Sequence, residues 1–398
     1  DANLNRSTEA LRTIEEYTRF ILEDTLLTEK AKRLRHEVQA LATDLPLVER
    51  VYARDARGDI GREITTDSEY DRTDVADVVK AGLNRLKQSL RALEEYGKII
   101  DPAIASRFEQ LRYEAYDLEK GLITQDAANE RFASLQVYAL VSGAENESDF
   151  KAHAESLLAA GIDVIQLRDK QLDDEQLLAR AKTLRQLIDS AIERSGRFVM
   201  MIVNDRPDVA KLAGADGVHL GQTELSVSDA RCLLGPKMIV GVSTHNAEQV
   251  NQAVLDGADY LGCGPTFPSK TKAFDGFPGL EFLEWVAQNC ALPAFAIGGI
   301  TVENASQVAE VGISRVAVSG CLDLTADHRE VISKLRLRLQ SDQEESQFVG
   351  LGLVPDQTFK LNEVSEVDTS KNYNELTSSI GTNVIDELNR IKKDKNLN

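Results

Sequence analysis

From Gln136 to about Gln340 the chain alternates short apolar runs with longer amphipathic stretches, eight times over. The runs are Val137–Val141, Val164–Leu167, Phe198–Val203, Gly217–Leu220, Ile239–Val242, Tyr260–Cys263, Ala294–Ile297 and Val316–Val318. Runs this short and this apolar read as strands covered on both faces, as in a parallel sheet. The stretches between them, such as Asp174 to Ile192 and Ala247 to Leu255, carry helical periodicity. Eight strand–helix units predict an α/β fold of the (β/α)8 TIM-barrel type, at the small end of its size range. An open doubly wound sheet is the alternative, but no G-x-G-x-x-G follows the first run.

Ahead of this pattern the chain reads as all-α. Leu4, Leu11, Ile14, Tyr17, Phe20 and Ile21 recur at helical spacing. One segment returns: Leu4-Asn-Arg, Leu11-Arg and Glu15-Glu-Tyr reappear as Leu83-Asn-Arg, Leu90-Arg and Glu94-Glu-Tyr. The trios Asn5, Arg12, Glu16 and Asn84, Arg91, Glu95 can each share one helix face. They are either a solvated ion-pair face or part of a duplicated helix pair. Between the copies, Arg54 to Gly61 is a polar loop that either orders over a nucleotide or phosphate or is plain surface. After Gln340 the composition turns polar, and disorder or loose docking is expected. The expected organisation is therefore a helical domain over 1–125, a barrel over 126–340 and a tail over 341–398.

The formal net charge of −19 argues against a general nucleic-acid binder. No apolar run approaches the length of a membrane span, and no secretory pattern is read, so a cytoplasmic setting is expected. Cys232, Cys263, Cys290 and Cys321 make no CxxC pair, which fits reduced thiols without structural zinc.

Barrel chemistry belongs at the C-terminal ends of strands. The second strand ends in Gln166-Leu167-Arg168-Asp169-Lys170, where a guanidinium fork and an ammonium suit a diphosphate; a buried Arg168–Asp169 pair is the plainer reading. The third ends in Asn204-Asp205, a carboxylate that fits Mg2+ beside a pyrophosphate. Glu224 after the fourth offers a second carboxylate, while His219 within that strand reads as a satisfied core histidine. Ser243 after the fifth can bond a ligand, and His245 can cap the next helix. The loop Gly262 to Lys272 adds Ser269, Lys270, Thr271 and Lys272. Gly298-Gly299 and Val318-Ser319 lie where barrels commonly hold a monophosphate.

With these motifs together, residues 136 to 340 resemble the thiamine-phosphate synthase family. The resemblance rests on Gln166 to Lys170, Val203-Asn-Asp205, His219 to Gln222, Gly241-Val-Ser243, Gly264 to Lys272 and Ile297 to Ile300. It implies a transferase that joins 4-amino-2-methyl-5-(diphosphooxymethyl)pyrimidine to a 4-methyl-5-hydroxyethylthiazole phosphate, or its carboxylated form. The products are thiamine phosphate and pyrophosphate, reached by Mg2+-assisted dissociative substitution. It further implies that Gln166, Leu167, Arg168, Asp169, Lys170, Asn204, Ser243 and Lys272 hold the pyrimidine diphosphate. Ser269, Lys270, Thr271, Gly299, Val318 and Ser319 would hold the thiazole phosphate, and Asp205 and Glu224 one Mg2+. Arg168, Lys170 and Lys272 would be the catalytic charges. The family usually has Asp where Glu224 stands and Thr where Ser269 stands. A paralogous thiazole tautomerase is the rival, but it needs no diphosphate site.

Residues 1 to about 125 resemble a helical module found fused ahead of this synthase, through Asp1 to Arg6, Leu11-Arg12, Glu15-Glu-Tyr17 and the Arg54 to Gly61 loop. That resemblance implies phosphorylation of the pyrimidine monophosphate, with ATP as donor. A non-catalytic oligomerisation or partner-binding module is the other reading. The expected partners are phosphorylated pyrimidine and thiazole compounds, with neither nucleic acid nor membrane; the sequence leaves homo-oligomerisation open.

Overall fold

The structure is a computed structural model that describes residues 1–53, 72–268, 278–323 and 326–340. All of these fall in one compact unit, Asp1–Glu344. The Arg54 to Gly61 loop, the residues Ser269, Lys270, Thr271 and Lys272, and the tail after Gln340 lie outside the described residues.

The N-terminal part comprises α1 (Ala2–Phe20), α2 (Thr25–Thr43), the short α3 (Leu47–Tyr52), α4 (Val75–Ile100) and α5 (Pro102–Phe132). The repeated sequence is a repeated helix pair: α1–α2 and α4–α5 have the same plan. Each second helix starts at an aspartate whose side chain accepts a backbone N–H, Asp24 from Leu27 and Asp101 from Ala103, both at 2.8 Å. Leu34-Arg35-His36-Glu37 on α2 returns as Leu111-Arg112-Tyr113-Glu114 on α5. The internal ion pair returns as well, Arg35 Nε to Glu15 and Arg112 Nε to Glu94, each at 2.8 Å. The two pairs pack α1 on α4 and α2 on α5 as a four-helix arrangement around Leu11, Ile14, Leu34, Leu83 and Leu118.

The barrel follows as predicted. Its strands are β1 (Val137–Val141), β2 (Val164–Leu167), β3 (Met200–Asn204), β4 (Gly217–Leu220), β5 (Ile239–Thr244), β6 (Tyr260–Cys263), β7 (Ala294–Ile297) and β8 (Val316–Val318). All pair in parallel, and β8 closes on β1 with Ala317 opposite Tyr138. The alternating helices are α6 (Glu147–Ala160), α7 (Asp174–Ser195), α8 (Pro207–Ala213), α9 (Val227–Leu234), α10 (Ala247–Asp256), α11 (Gly279–Asn289), α12 (Ala305–Glu310) and α13 (His328–Leu339). Three strand ends differ from expectation, one of them the end of β3, which runs on to Asn204 opposite His219. Phe198 is half-exposed and outside β3, because the ladder with β2 begins at Val164 opposite Met200. β5 continues to Thr244, because β6 supplies Cys263 opposite it.

The helical and barrel parts are joined without a break in α5. The expected boundary at 125 falls inside that helix, which ends at Phe132. The Phe132 side chain is fully buried among residues from the N-terminal ends of the strands, 5.2 Å from the Tyr260 ring and 6.0 Å from Phe295. Alongside, α5 packs on α10 and α2 touches α11. Buried Asp24 accepts from Gln125 Nε2 at 3.1 Å and from the Ala291 amide at 2.8 Å, tying α2, α5 and the approach to β7 together. The helices thus hold the end of the barrel opposite the C-terminal ends of its strands.

Candidate active site

A chain of hydrogen bonds crosses the barrel interior. Gln166 Nε2 on β2 donates to Tyr138 Oη on β1 at 2.7 Å. Tyr138 Oη lies 3.0 Å from Tyr260 Oη on β6, which lies 3.0 Å from His219 Nδ1 on β4. His219 Nε2 lies 2.9 Å from Ser243 Oγ on β5. With Gln166 Nε2 as the donor at one end, the protons run Gln166 to Tyr138, Tyr138 to Tyr260, Tyr260 to His219 Nδ1, and His219 Nε2–H to Ser243. That order leaves the Ser243 hydroxyl proton free for a ligand. It also leaves Gln166 Oε1, which is buried, without a partner among the described residues. A buried acceptor left unmade is costly, so a ligand donor is its natural complement.

His219 is the core histidine that the sequence suggests. Burial first, and then the positive charge of Arg168, depress its pKa to about 4, so the ring is neutral near pH 7. Burial likewise raises both tyrosines far above neutrality, keeping them protonated. The strand also needs Gly241: a Cβ there would lie 2.1 Å from the Tyr260 ring.

Above this network stand the charged groups. Arg168 and Lys170 are exposed in the loop after β2. Lys170 Nζ is 3.5 Å from the Asp205 carboxylate. Asp205 follows β3 with a left-handed φ of 60°, its N–H bonded to His219 O at 2.8 Å. Such a conformation is uncommon outside glycine, and Asp is among the residues that tolerate it. Asn204 sits beside it, opposite His219 in the ladder. Asp169 makes no buried pair with Arg168. Its carboxylate instead accepts three backbone amides, from Gly143, Gln171 and Leu172. Burial works against its charge, but those bonds outweigh it and hold the carboxyl below its ordinary range. Arg206, which no sequence motif marks, links Asp208 and Asp174 and so fastens the β3 loop to the start of α7.

Glu224 lies in the β4–α9 loop and accepts the Thr223 amide at 3.2 Å. Among the described residues no cluster of three or more metal-type side chains occurs. Mg2+ does not need one when a diphosphate supplies the other oxygens, so the donor chemistry of Asp205 and Glu224 fits it.

On the far side, the start of the β6 loop is fastened to the end of β7. Thr266 N donates to Ile297 O at 2.9 Å and Phe267 N to Gly298 O at 3.0 Å. Gly299 has φ 66°, and a Cβ there would come within 2.7 Å of two carbonyl oxygens of the loop. His245 does not cap α10. Asn246 does that, accepting the Gln249 amide at 2.9 Å, while His245 Nδ1 bonds Gly264 O. Val318 is buried at the end of β8 and Ser319 is exposed beyond it.

Residues 137–322 match the family model described as thiamine monophosphate synthase, and residues 1–121 match the ThiD2 family. The thiamine-phosphate synthase of Rhodopirellula baltica is 42% identical over 358 residues, covering 86% of this chain and 94% of its own length. The chain belongs to the thiamine-phosphate synthase family. The thiamine-phosphate synthase of Synechocystis sp. is 41% identical over 343 residues, covering 85% of this chain and 95% of its own. A solved thiamine phosphate pyrophosphorylase from Pyrococcus furiosus is 30% identical, covering 52% of this chain and 96% of that one, with a TM-score of 0.45. As a thiamine-phosphate synthase family member the chain is an enzyme of the transferase class. Among the described residues no helix is long and apolar enough to cross a membrane.

Proposed function

We propose that the barrel condenses the aminopyrimidine methyl diphosphate with the thiazole phosphate to give thiamine phosphate and pyrophosphate. The observation that carries this reading is the unpartnered Gln166 Oε1 at one end of the interior network, with the Ser243 hydroxyl at the other. An aminopyrimidine has ring nitrogens and an exocyclic amine, so it can meet both an acceptor and a donor. Leu167 and Asp169 shape the loop that bears Arg168 and Lys170, while Asn204, beside Asp205, bonds the diphosphate. Ser269, Lys270, Thr271, Gly299, Val318 and Ser319 surround the thiazole phosphate.

The reaction breaks the bond between the pyrimidine methylene and the diphosphate oxygen, whose electron pair leaves with pyrophosphate. The methylene cation is delocalised over the aminopyrimidine, and the thiazole nitrogen lone pair forms the new C–N bond. Arg168, Lys170 and Lys272 offset the charge that grows on the leaving group. Asp205 and Glu224 would hold Mg2+, which supplies further charge neutralisation for the diphosphate. No general base is needed, which accords with a neutral, fully bonded His219.

The helical part is proposed to phosphorylate the pyrimidine monophosphate from ATP, making the barrel's substrate. Support comes from its match to the ThiD2 family. The proposed setting is cytoplasmic. Two parallel reactions test both halves, each with the thiazole phosphate and Mg2+. One receives the pyrimidine diphosphate without ATP, and the other the monophosphate with ATP. Thiamine phosphate in both supports the whole reading. Product from the diphosphate alone removes the kinase half, and product in neither overturns the synthase.

A further inference from the structure

The two helix pairs share one plan but differ at one place. In the second pair, Arg112 is covered: its Nη1 donates to Tyr116 Oη at 3.0 Å and its guanidinium lies 4.6 Å from the Tyr113 ring centre. The matching positions of the first pair are His36 and Gln39. No aromatic ring covers Arg35 there among the described residues. A cavity of about 520 Å³ opens instead, walled by Asn5, Thr8, Arg12, Arg35, Gln39 and Arg50.

Its charge is uneven. Glu15 is shared by Arg12 and Arg35, as Glu94 is shared by Arg91 and Arg112. Glu9, on the same wall, pairs with Arg85 at 3.7 Å. Arg50 at the end of α3 has no carboxylate partner among the described residues. Its Nη2 donates to Ala42 O at 2.9 Å, and its buried Nε has no acceptor among the described residues. A guanidinium with an unmet N–H on the wall of a polar cavity calls for an anionic oxygen, and the planar fork of arginine suits a phosphate.

We propose that this cavity between α1, α2 and α3 binds the phosphate group of a small phosphorylated ligand. Arg50 and Arg35 meet the phosphate oxygens, and Asn5 and Gln39 bond the remainder of the molecule. The sister pair has lost the site by filling it with Tyr113 and Tyr116. This goes beyond the kinase reading, since the cavity can bind a phosphate whether or not phosphoryl transfer occurs.

The test is arginine modification by phenylglyoxal on the full chain, mapped residue by residue by mass spectrometry. Inorganic phosphate is expected to cause a saturable loss of labelling at Arg50 and at Arg12, which lines the same cavity and is the more exposed neighbour of Arg35. Arg91, as exposed as Arg12 and equivalent to it, serves as the internal control and stays unchanged. Equal labelling of Arg12 and Arg50 with and without phosphate, or equal protection of Arg91, overturns the proposal. Gln39→Tyr copies the filled repeat and, with its melting temperature retained, should abolish the protection; protection that persists contradicts the site. If that variant does not fold, the wild-type comparison decides alone. Repeating the experiment with ATP and with the pyrimidine monophosphate identifies the ligand, which protects at lower concentration than inorganic phosphate. Failure of both to do so also overturns the proposal. Phosphorylation of the pyrimidine without protection of Arg50 leaves the kinase reading standing and removes this site. Protection without phosphorylation does the reverse.

Discussion

His219 Nε2 lies 2.9 Å from Ser243 Oγ, so a ring buried in the barrel reaches a hydroxyl at the C-terminal end of β5. Replacing it, as His219→Phe, strands the Tyr260 and Ser243 hydroxyls. Each buried group left unpaired costs about 1–3 kcal/mol. We expect lower stability in urea and a raised KM for the pyrimidine diphosphate. An unchanged KM would show that the ring does not position Ser243.

The same residue sets a pH dependence. Its native pKa is about 4, against about 6.5 in an unfolded chain. Between those values the unfolded chain takes up a proton that the native state refuses. Its contribution to stability is fully present above pH 6.5 and is lost as pH falls towards 4, by roughly 3 kcal/mol. Below that it is flat. Urea midpoints across this window should fall for the wild type, and fall less for His219→Phe.

Lys170 and Asp205 stand 3.5 Å apart. Lys170→Ala removes a charge proposed to face the leaving group and should lower kcat by about 10²–10³-fold, the range for losing one such stabilising group. Asp205→Asn should raise the Mg2+ concentration needed for half-maximal rate, and Glu224→Asp should change it again. Chelation with EDTA should stop the reaction. A Mg2+ requirement identical in all three proteins would remove Asp205 and Glu224 as metal ligands.

Phe132 is expected to hold the helices and the barrel as one cooperative unit. Phe132→Ala leaves a cavity among Tyr138, Tyr260 and Phe295 and should destabilise the chain by about 3–5 kcal/mol. Thermal unfolding would then show whether the single transition splits into two. A loss under about 1 kcal/mol would mean that the site collapses around the gap.

The barrel is legible in the sequence because continuous apolar runs at regular intervals admit few other folds. Its edges are less so. Phe198 reads as strand by residue type, and only the register with β2 excludes it. The duplicated helix pair shows in Asn5 and Asn84, yet what distinguishes its copies, Gln39 against Tyr116, acquires meaning only once Arg35 and Arg112 are seen. Tyr138 and Tyr260 look like ordinary core aromatics, since nothing local reveals that residues 122 apart share a hydrogen bond. Asp169 was legible as charge, not as a carboxylate committed to three amides. The helix α5 runs on to Phe132, past the domain bound at 125, because the alternating strand pattern starts only after Gln136.

The most direct test is a time course of the purified full chain with pyrimidine diphosphate, thiazole phosphate and Mg2+, without ATP. The account predicts that thiamine phosphate and pyrophosphate appear together in equal amounts. Pyrophosphate without thiamine phosphate, or neither product from protein shown to be folded, would contradict it.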